Sequence, residues 1–197
     1  MNDSSRRGTG PVVRAKRADA RRNEEALLDA AATVFVTSGV EAPIRDIAAE
    51  AGVGTATIYR HFPTRADLIV AVYRHQVEAL AQAGPALLAD SATAYAALER
   101  WIDRFVDFVV TKQGLAAVLQ SDDPCFDPLH DYFVERLVPV CTQLLAAAGE
   151  SGEIRSGQDA QELMRGIGGL CASAGTHHRY DARHMVELLV TGLRTIR

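Results

Sequence analysis

The chain has 197 residues, is 48% hydrophobic and carries a formal charge of −4, enough apolar matter for a real core in one or two small domains. No apolar run reaches the roughly 18 residues that a membrane-spanning helix needs. The opening Met1–Arg7 has no apolar signal segment, so the expected compartment is the cytoplasm and no membrane partner is expected. Cys125, Cys141 and Cys171 are widely spaced and form no CxxC pair, which points away from a zinc ribbon or a disulfide framework and towards plain thiols.

Charge is unevenly placed. Residues 1–65 hold ten Lys or Arg against eight Asp or Glu, whereas residues 66–197 hold eleven against seventeen. The first 22 residues carry seven basic groups against Asp3 and Asp19. Residues 1–18 are poor in apolar groups and are expected to be a disordered basic arm suited to phosphate.

From there the period is helical throughout. Leu27, Leu28, Ala31, Val34 and Phe35 share a face, and Gly39 ends that helix. Pro43 suits the first turn of a second helix, which runs to about Ala51. Gly52-Val53-Gly54 makes a turn, and a third helix runs to about His61 before Phe62-Pro63. Thr64-Arg65-Ala66-Asp67 is a capping box for the fourth, which Gly84-Pro85 is expected to close or kink. Tyr95, Leu98, Trp101, Ile102, Phe105, Phe108 and Val109 mark a fifth. Gly114 and Ser121–Pro124 bracket a short sixth. Asp127-Pro128 opens a long helix that ends near Gly149, and two more are expected over about 158–175 and 182–195. The reading is all-α, about nine helices and no strands, with a helix-turn-helix domain over 19–65 and a second helical domain over 66–197.

Two short helices broken by a glycine turn are the build of a DNA reader, in which the first helix braces the second in the major groove. Ile44, Ile47, Ala48 and Val53 suit the brace. Ile58 and Phe62, four apart, point inward, which turns Ala56, Thr57 and Arg60 outward with Thr55, Tyr59 and His61 beside them. Arg60 can take a guanine edge in a bidentate contact or a phosphate; Thr, Tyr and His side chains can donate to phosphates. An ordinary exposed polar surface is the competing reading for each residue alone.

The run Leu27–Phe35 with Gly39, Ile47-Ala48, Ala51-Gly52-Val53, Ile58–Phe62 and Leu68 resembles the N-terminal domain of TetR-family transcriptional regulators over residues 20–75. The resemblance implies an N-terminal three-helix DNA-binding domain joined to a C-terminal ligand-binding and dimerisation domain. It also implies a homodimer on a palindromic double-stranded operator, with readers about 34–36 Å apart. Carried over by position, Arg45, Thr55, Thr57, Tyr59, Arg60 and His61 contact DNA, and Arg65 touches a phosphate where relatives have Lys. Pro43 stands where relatives often have a capping Thr, and Thr55-Ala56 departs from the common pairs, so the operator cannot be borrowed. The last two helices are then the dimer interface: Gly166, Gly168, Gly169, Ala172 and Ala174 permit close packing, and Leu188, Leu189, Leu193 and Ile196 supply apolar contact.

In the second domain Trp101, Phe105 and Phe108 lie near one face, with Tyr132 and Phe133 on another helix. An apolar pocket between helices is a natural small-molecule site, although core packing is the plainer reading for any one of these rings. No inward ionisable group stands out. Asp122, Asp123, Cys125, Asp127, His130 and Asp131 cluster, as do His177, His178 and His184, but helix capping and solvation explain them better than a metal. No cofactor or metal is expected. The resulting expectation is a repressor released by a small molecule, with a ligand-independent regulator or an activator as alternatives. An enzyme is a distant alternative: GxSxG, HExxH and phosphate-loop motifs are missing, and Cys125 near His130 would be its nucleophile.

Overall fold

The computed structural model describes the backbone of residues 11–119, 126, 128–172 and 181–195, and the side chains of those from 19 onward apart from 111–119. It contains α1 (Pro11–Ser38), α2 (Ile44–Glu50), α3 (Thr55–His61), α4 (Arg65–Asp90), α5 (Ala94–Leu119), α6 (Pro128–Glu150), α7 (Ala160–Ala172) and α8 (Ala182–Thr191). Among the described residues the only extended pairing is an isolated antiparallel bridge between Ile154 and Arg194. The chain is all-α.

Each helix buries one stripe. Leu27, Leu28, Ala31 and Phe35 of α1 pack with Ile47, Ala48, Ile58 and Phe62, and this layer meets Leu68, Ile69 and Val72 at the start of α4. Further along, Val77, Leu80 and Leu87 of α4 join Leu98, Trp101 and Phe105 of α5 and Leu137, Cys141 and Leu144 of α6. Ile167 and Cys171 of α7, with Val186 and Val190 of α8, close the other side. Polar ties cross the same seams. His75 Nε2 lies 2.8 Å from Asp29 Oδ1, joining α4 to α1. The Glu78 carboxylate accepts from Arg136 Nε at 2.6 Å and from the Tyr132 hydroxyl at 2.8 Å. These bonds, led by the one from Arg136, hold the Glu78 carboxyl below its usual range.

Three expectations about element ends are corrected. Helix α1 begins at Pro11, so residues 11–18 are helical rather than part of a disordered arm. Proline at the first position is pre-set for a helix, and the Ala- and Arg-rich run behind it has high helical propensity. Ion pairs of Arg22 with Asp19 and of Arg21 with Glu25 support the first described side chains. Helix α5 passes through Gly114 to Leu119, so the expected short sixth helix is the end of the fifth and the described helices number eight. One glycine costs a helix only about 1 kcal/mol, too little to end it. Ser121–Pro124 lies outside the described residues. Helix α4 is not closed at Gly84-Pro85 but continues through Pro85 to Asp90, because Leu87 beyond the proline is buried in the common core.

The residue before that proline is under the tightest packing. A Cβ on Gly84 would clash with Val140 Cγ1 of α6. Overpacking of this kind costs about 1–3 kcal/mol, more than the gain of up to about 1 kcal/mol from replacing a helical glycine with alanine. Gly84→Ala is therefore expected to lower the unfolding free energy by about 1 kcal/mol. The loss should vanish when Val140→Ala removes the opposing methyl. Denaturant unfolding of the single and double variants at one protein concentration checks this; additive effects would contradict it.

Candidate nucleic-acid interface and ligand cavity

Helix α3 is set by its neighbours. Pro43 caps α2 without a side-chain bond, as expected where the capping Thr is missing. Gly52 takes a φ of +65° in the turn, a left-handed conformation that glycine adopts without steric cost. The Val53 amide then bonds to the Ala48 carbonyl at 2.9 Å, folding the chain back. Ile58 is 1% exposed and Phe62 is buried, and these two anchors fix the rotation of α3. Thr55, Ala56, Tyr59, Arg60 and His61 face solvent as expected, with Tyr59 53% exposed, while Thr57 is half-buried. Arg60 has no acidic partner among the described residues. Arg45 is exposed on α2, with Asp46 beside it at 3.4 Å.

Arg65 does something other than expected. Its guanidinium donates to the carbonyls of Val40 and Ala42, the latter at 2.8 Å. It thus pins the α1–α2 connection to the start of α4 instead of reaching outward. Thr64 and Asp67 beside it form the expected capping box, with the Thr64 amide 3.0 Å from the Asp67 carboxylate. Only a contact 23 residues back in sequence separates an anchor from a phosphate ligand at Arg65, and helical periodicity carries no trace of it.

The second site is a cavity of about 370 Å³ between α5, α6 and α7. Phe105, Phe108 and Phe133 form its aromatic wall, with Val109, Val134, Val138 and Met164 alongside and Gln161, Arg165 and His130 as its polar groups. The rings pack on one another: Phe108 and Phe133 have centroids 5.9 Å apart at 14°, and Phe105 and Phe108 lie 6.5 Å apart at 24°. Two expected lining residues lie elsewhere. Trp101 is fully buried behind the wall, stacked on Phe105 at 5.7 Å, and its indole Nε1 donates to the Leu80 carbonyl of α4 at 3.0 Å. An indole N–H this deep needs an acceptor, and that carbonyl supplies it. Tyr132 points to α4, where it bonds Glu78 and sits under the Arg74 guanidinium at 5.3 Å. Val138, Met164, Gln161 and Arg165 were not expected. For the α7 residues the signal is the repeat Gln161, Arg165, Gly168, Ala172 along one face of that helix.

Gly168 accordingly lines the cavity instead of the outer face. Gly166 and Gly169 are exposed, with open space where a Cβ would stand. On α8, Leu188 is 53% exposed, and Met185 and Leu189 stand out with it. Leu193 is 7% exposed and faces the core, because α8 ends at Thr191 and the Leu193 carbonyl accepts from the Arg155 amide at 3.1 Å. Ala174 and Ile196 lie outside the described residues, as do Asp122, Asp123, Cys125, Asp127, His177 and His178. Among the described residues no group of three His, Cys, Asp or Glu could hold a metal. Cys141 and Cys171 are buried thiols; burial pushes Cys141 up to about 12, so it is inert at neutral pH.

A short exposed helix on a three-helix base, with an aromatic cavity in a separate helical layer, is the build of a one-component transcription regulator. Comparison with known proteins agrees. Residues 27–72 match the family of bacterial regulatory proteins called tetR, and residues 93–195 match the C-terminal domain of SbtR-like transcriptional regulators. The chain belongs to the TetR family: it is a DNA-binding transcription regulator and not an enzyme. The crystal structure of a TetR transcriptional regulator from Streptomyces coelicolor is 34% identical, with a TM-score of 0.76 over 88% of this chain and 99% of that one. The transcriptional repressor LfrR of Mycolicibacterium smegmatis is 46% identical over 54 residues, which is 27% of this chain and 28% of LfrR. FadR from Bacillus subtilis, solved in complex with stearoyl-CoA, shares the fold at 22% identity, with a TM-score of 0.56 over 86% of this chain and 98% of that one. No described helix is long and apolar enough to cross a membrane.

Arg60 in α3 and Arg65 behind it should separate cleanly. Arg65→Ala leaves two carbonyls of the buried residues Val40 and Ala42 without their donor and is expected to lower stability by about 2 kcal/mol. Arg60→Ala, on the exposed face, should stay within about 0.5 kcal/mol of the parent. Chemical unfolding of both variants checks this; equal losses would contradict it.

Proposed function

We propose that the chain is a homodimeric repressor in the cytoplasm. In this reading α3 holds a palindromic operator, and a small molecule entering the α5–α6–α7 cavity releases it. Thr55, Thr57, Tyr59, Arg60 and His61 of α3, with Arg45 of α2, contact DNA; Arg65 supports them from behind. Gly166 and Gly169 of α7 and Met185, Leu188 and Leu189 of α8 meet their counterparts across a two-fold axis. The named repressor activity of LfrR, and the bound stearoyl-CoA in FadR, favour this sense of regulation.

The observation that carries the reading is the route from cavity to reader. The wall ring Phe105 stacks on Trp101, whose indole holds the Leu80 carbonyl of α4, and the N-terminal end of α4 packs into the three-helix domain. A ligand that moves the Phe105 wall displaces α4, and with it the spacing of the two readers. The available energy is the difference in ligand affinity between the two spacings.

Fluorescence anisotropy with DNA from the region upstream of the chain's own gene tests the reading side. Arg60→Ala is expected to weaken specific binding by about 1–3 kcal/mol, roughly 5- to 150-fold, if it meets a base edge. If it meets a phosphate, the salt slope should fall by about one instead. Unchanged affinity and unchanged slope would remove α3 as the reader.

A further inference from the structure

We infer that the ligand of the cavity is an organic acid, a compact apolar body carrying one anionic group that Arg165 receives. The inference rests on the cavity being the ligand site. Among the described residues the ionisable groups that line it are Arg165 and His130, and no carboxylate does. This is unusual for the half of the chain in which acids outnumber bases seventeen to eleven. Among the described residues two arginines of that half sit against acids, Arg136 on Glu78 and Arg183 on Asp107. Arg165 has no acidic partner among the described residues. The cleft between α5 and α8 shows the contrast: Glu99, Asp103, Asp181 and Glu187 line it beside Arg183 and His184, so it has no preference for an anion.

Position adds to charge. Gln161, Arg165 and Gly168 follow one another along the cavity face of α7, which places an amide donor one turn from the guanidinium. A guanidinium grips a carboxylate through two parallel bonds, and the exposed Arg165 offers that grip at the rim of the cavity while the apolar lining takes the rest of the molecule. His130, whose ring lies 6.4 Å from Phe133, lines the same cavity and adds a ring nitrogen able to hydrogen-bond. The stacked phenyl rings opposite offer a flat apolar face for the body of the molecule. At about 370 Å³ the space is at the small end for ligand sites, about 300–1,000 Å³, and suits a bicyclic or medium-chain acid better than a cofactor-sized conjugate.

Isothermal titration of the full chain with 1-naphthylacetate and with its uncharged analogue 1-naphthylacetamide tests this. The acid is expected to bind at least ten-fold more tightly. Arg165→Gln should bring it down to the level of the amide and leave the amide unchanged. Gly168→Leu, which projects into open space on the cavity face, should weaken both. If acid and amide bind equally and Gly168→Leu weakens both, the charge inference is overturned while the cavity keeps its role. If neither binds, or if Gly168→Leu changes nothing, the cavity reading falls and takes this inference with it.

Discussion

Helix α4 is buried in two helical layers of one continuous core, and that double burial is the constraint on which the rest of the molecule depends. Its first turns put Leu68, Ile69 and Val72 under the three-helix domain, and its later turns put Val77, Leu80 and Leu87 under α5 and α6. A capping box starts it at Thr64, and Arg65 ties that start to the loop before α2. A hinge between the halves would need this continuous helix to break. Pro85, suited to breaking it, is itself exposed, but Gly84 before it and Leu87 beyond it are buried and hold the helix together. The reader's orientation is therefore a consequence of where α4 lies.

The aromatic layer behind the cavity shares this logic. Trp101 supplies a large apolar face to the core and one polar atom that must be satisfied. The acceptor is a backbone carbonyl of α4, four residues before the close approach at Gly84. Phe105 stacks on one side of this indole, and the cavity lies beyond Phe105. A ring that moves in response to a cavity occupant thus presses on a hydrogen-bonded lever, not on a soft filling. The same arrangement explains why the wall is aromatic: flat rings pass displacement along a stack where flexible side chains would absorb it.

How much of this could be read from residues alone depended on range. The reader was legible because its determinants are local: Gly52 sets the turn, and Ile58 and Phe62 four apart set the rotation of α3. The cavity was legible only by face. Trp101, Phe105 and Phe108 share a helical stripe, but periodicity does not tell which ring reaches the cavity and which lies behind it; packing against Leu80 decides that. Position in the sequence alone gives Arg65, Tyr132, Gly168 and Leu193 an outer or ligand role. Each was redirected by a neighbour far away in sequence or by where a helix stops. Gly114 and Pro85 looked like helix ends because their local cost is real, yet the burial of Leu87 outweighs the cost of Pro85. Arg165 is an exposed arginine on α7, and nothing local to it in sequence tells which side chains of α5 and α6 share its cavity.

If α4 sets the place of α3 in each protomer and α7 and α8 join two protomers, two readers must meet the duplex on one face at a fixed separation. Hydroxyl-radical footprinting on the DNA upstream of the chain's own gene measures that directly. Two protected segments related by a palindrome are expected, with centres about 34–36 Å apart or a multiple of it. A single protected segment, or protection with no preferred sequence, would contradict the placement of the readers by α4.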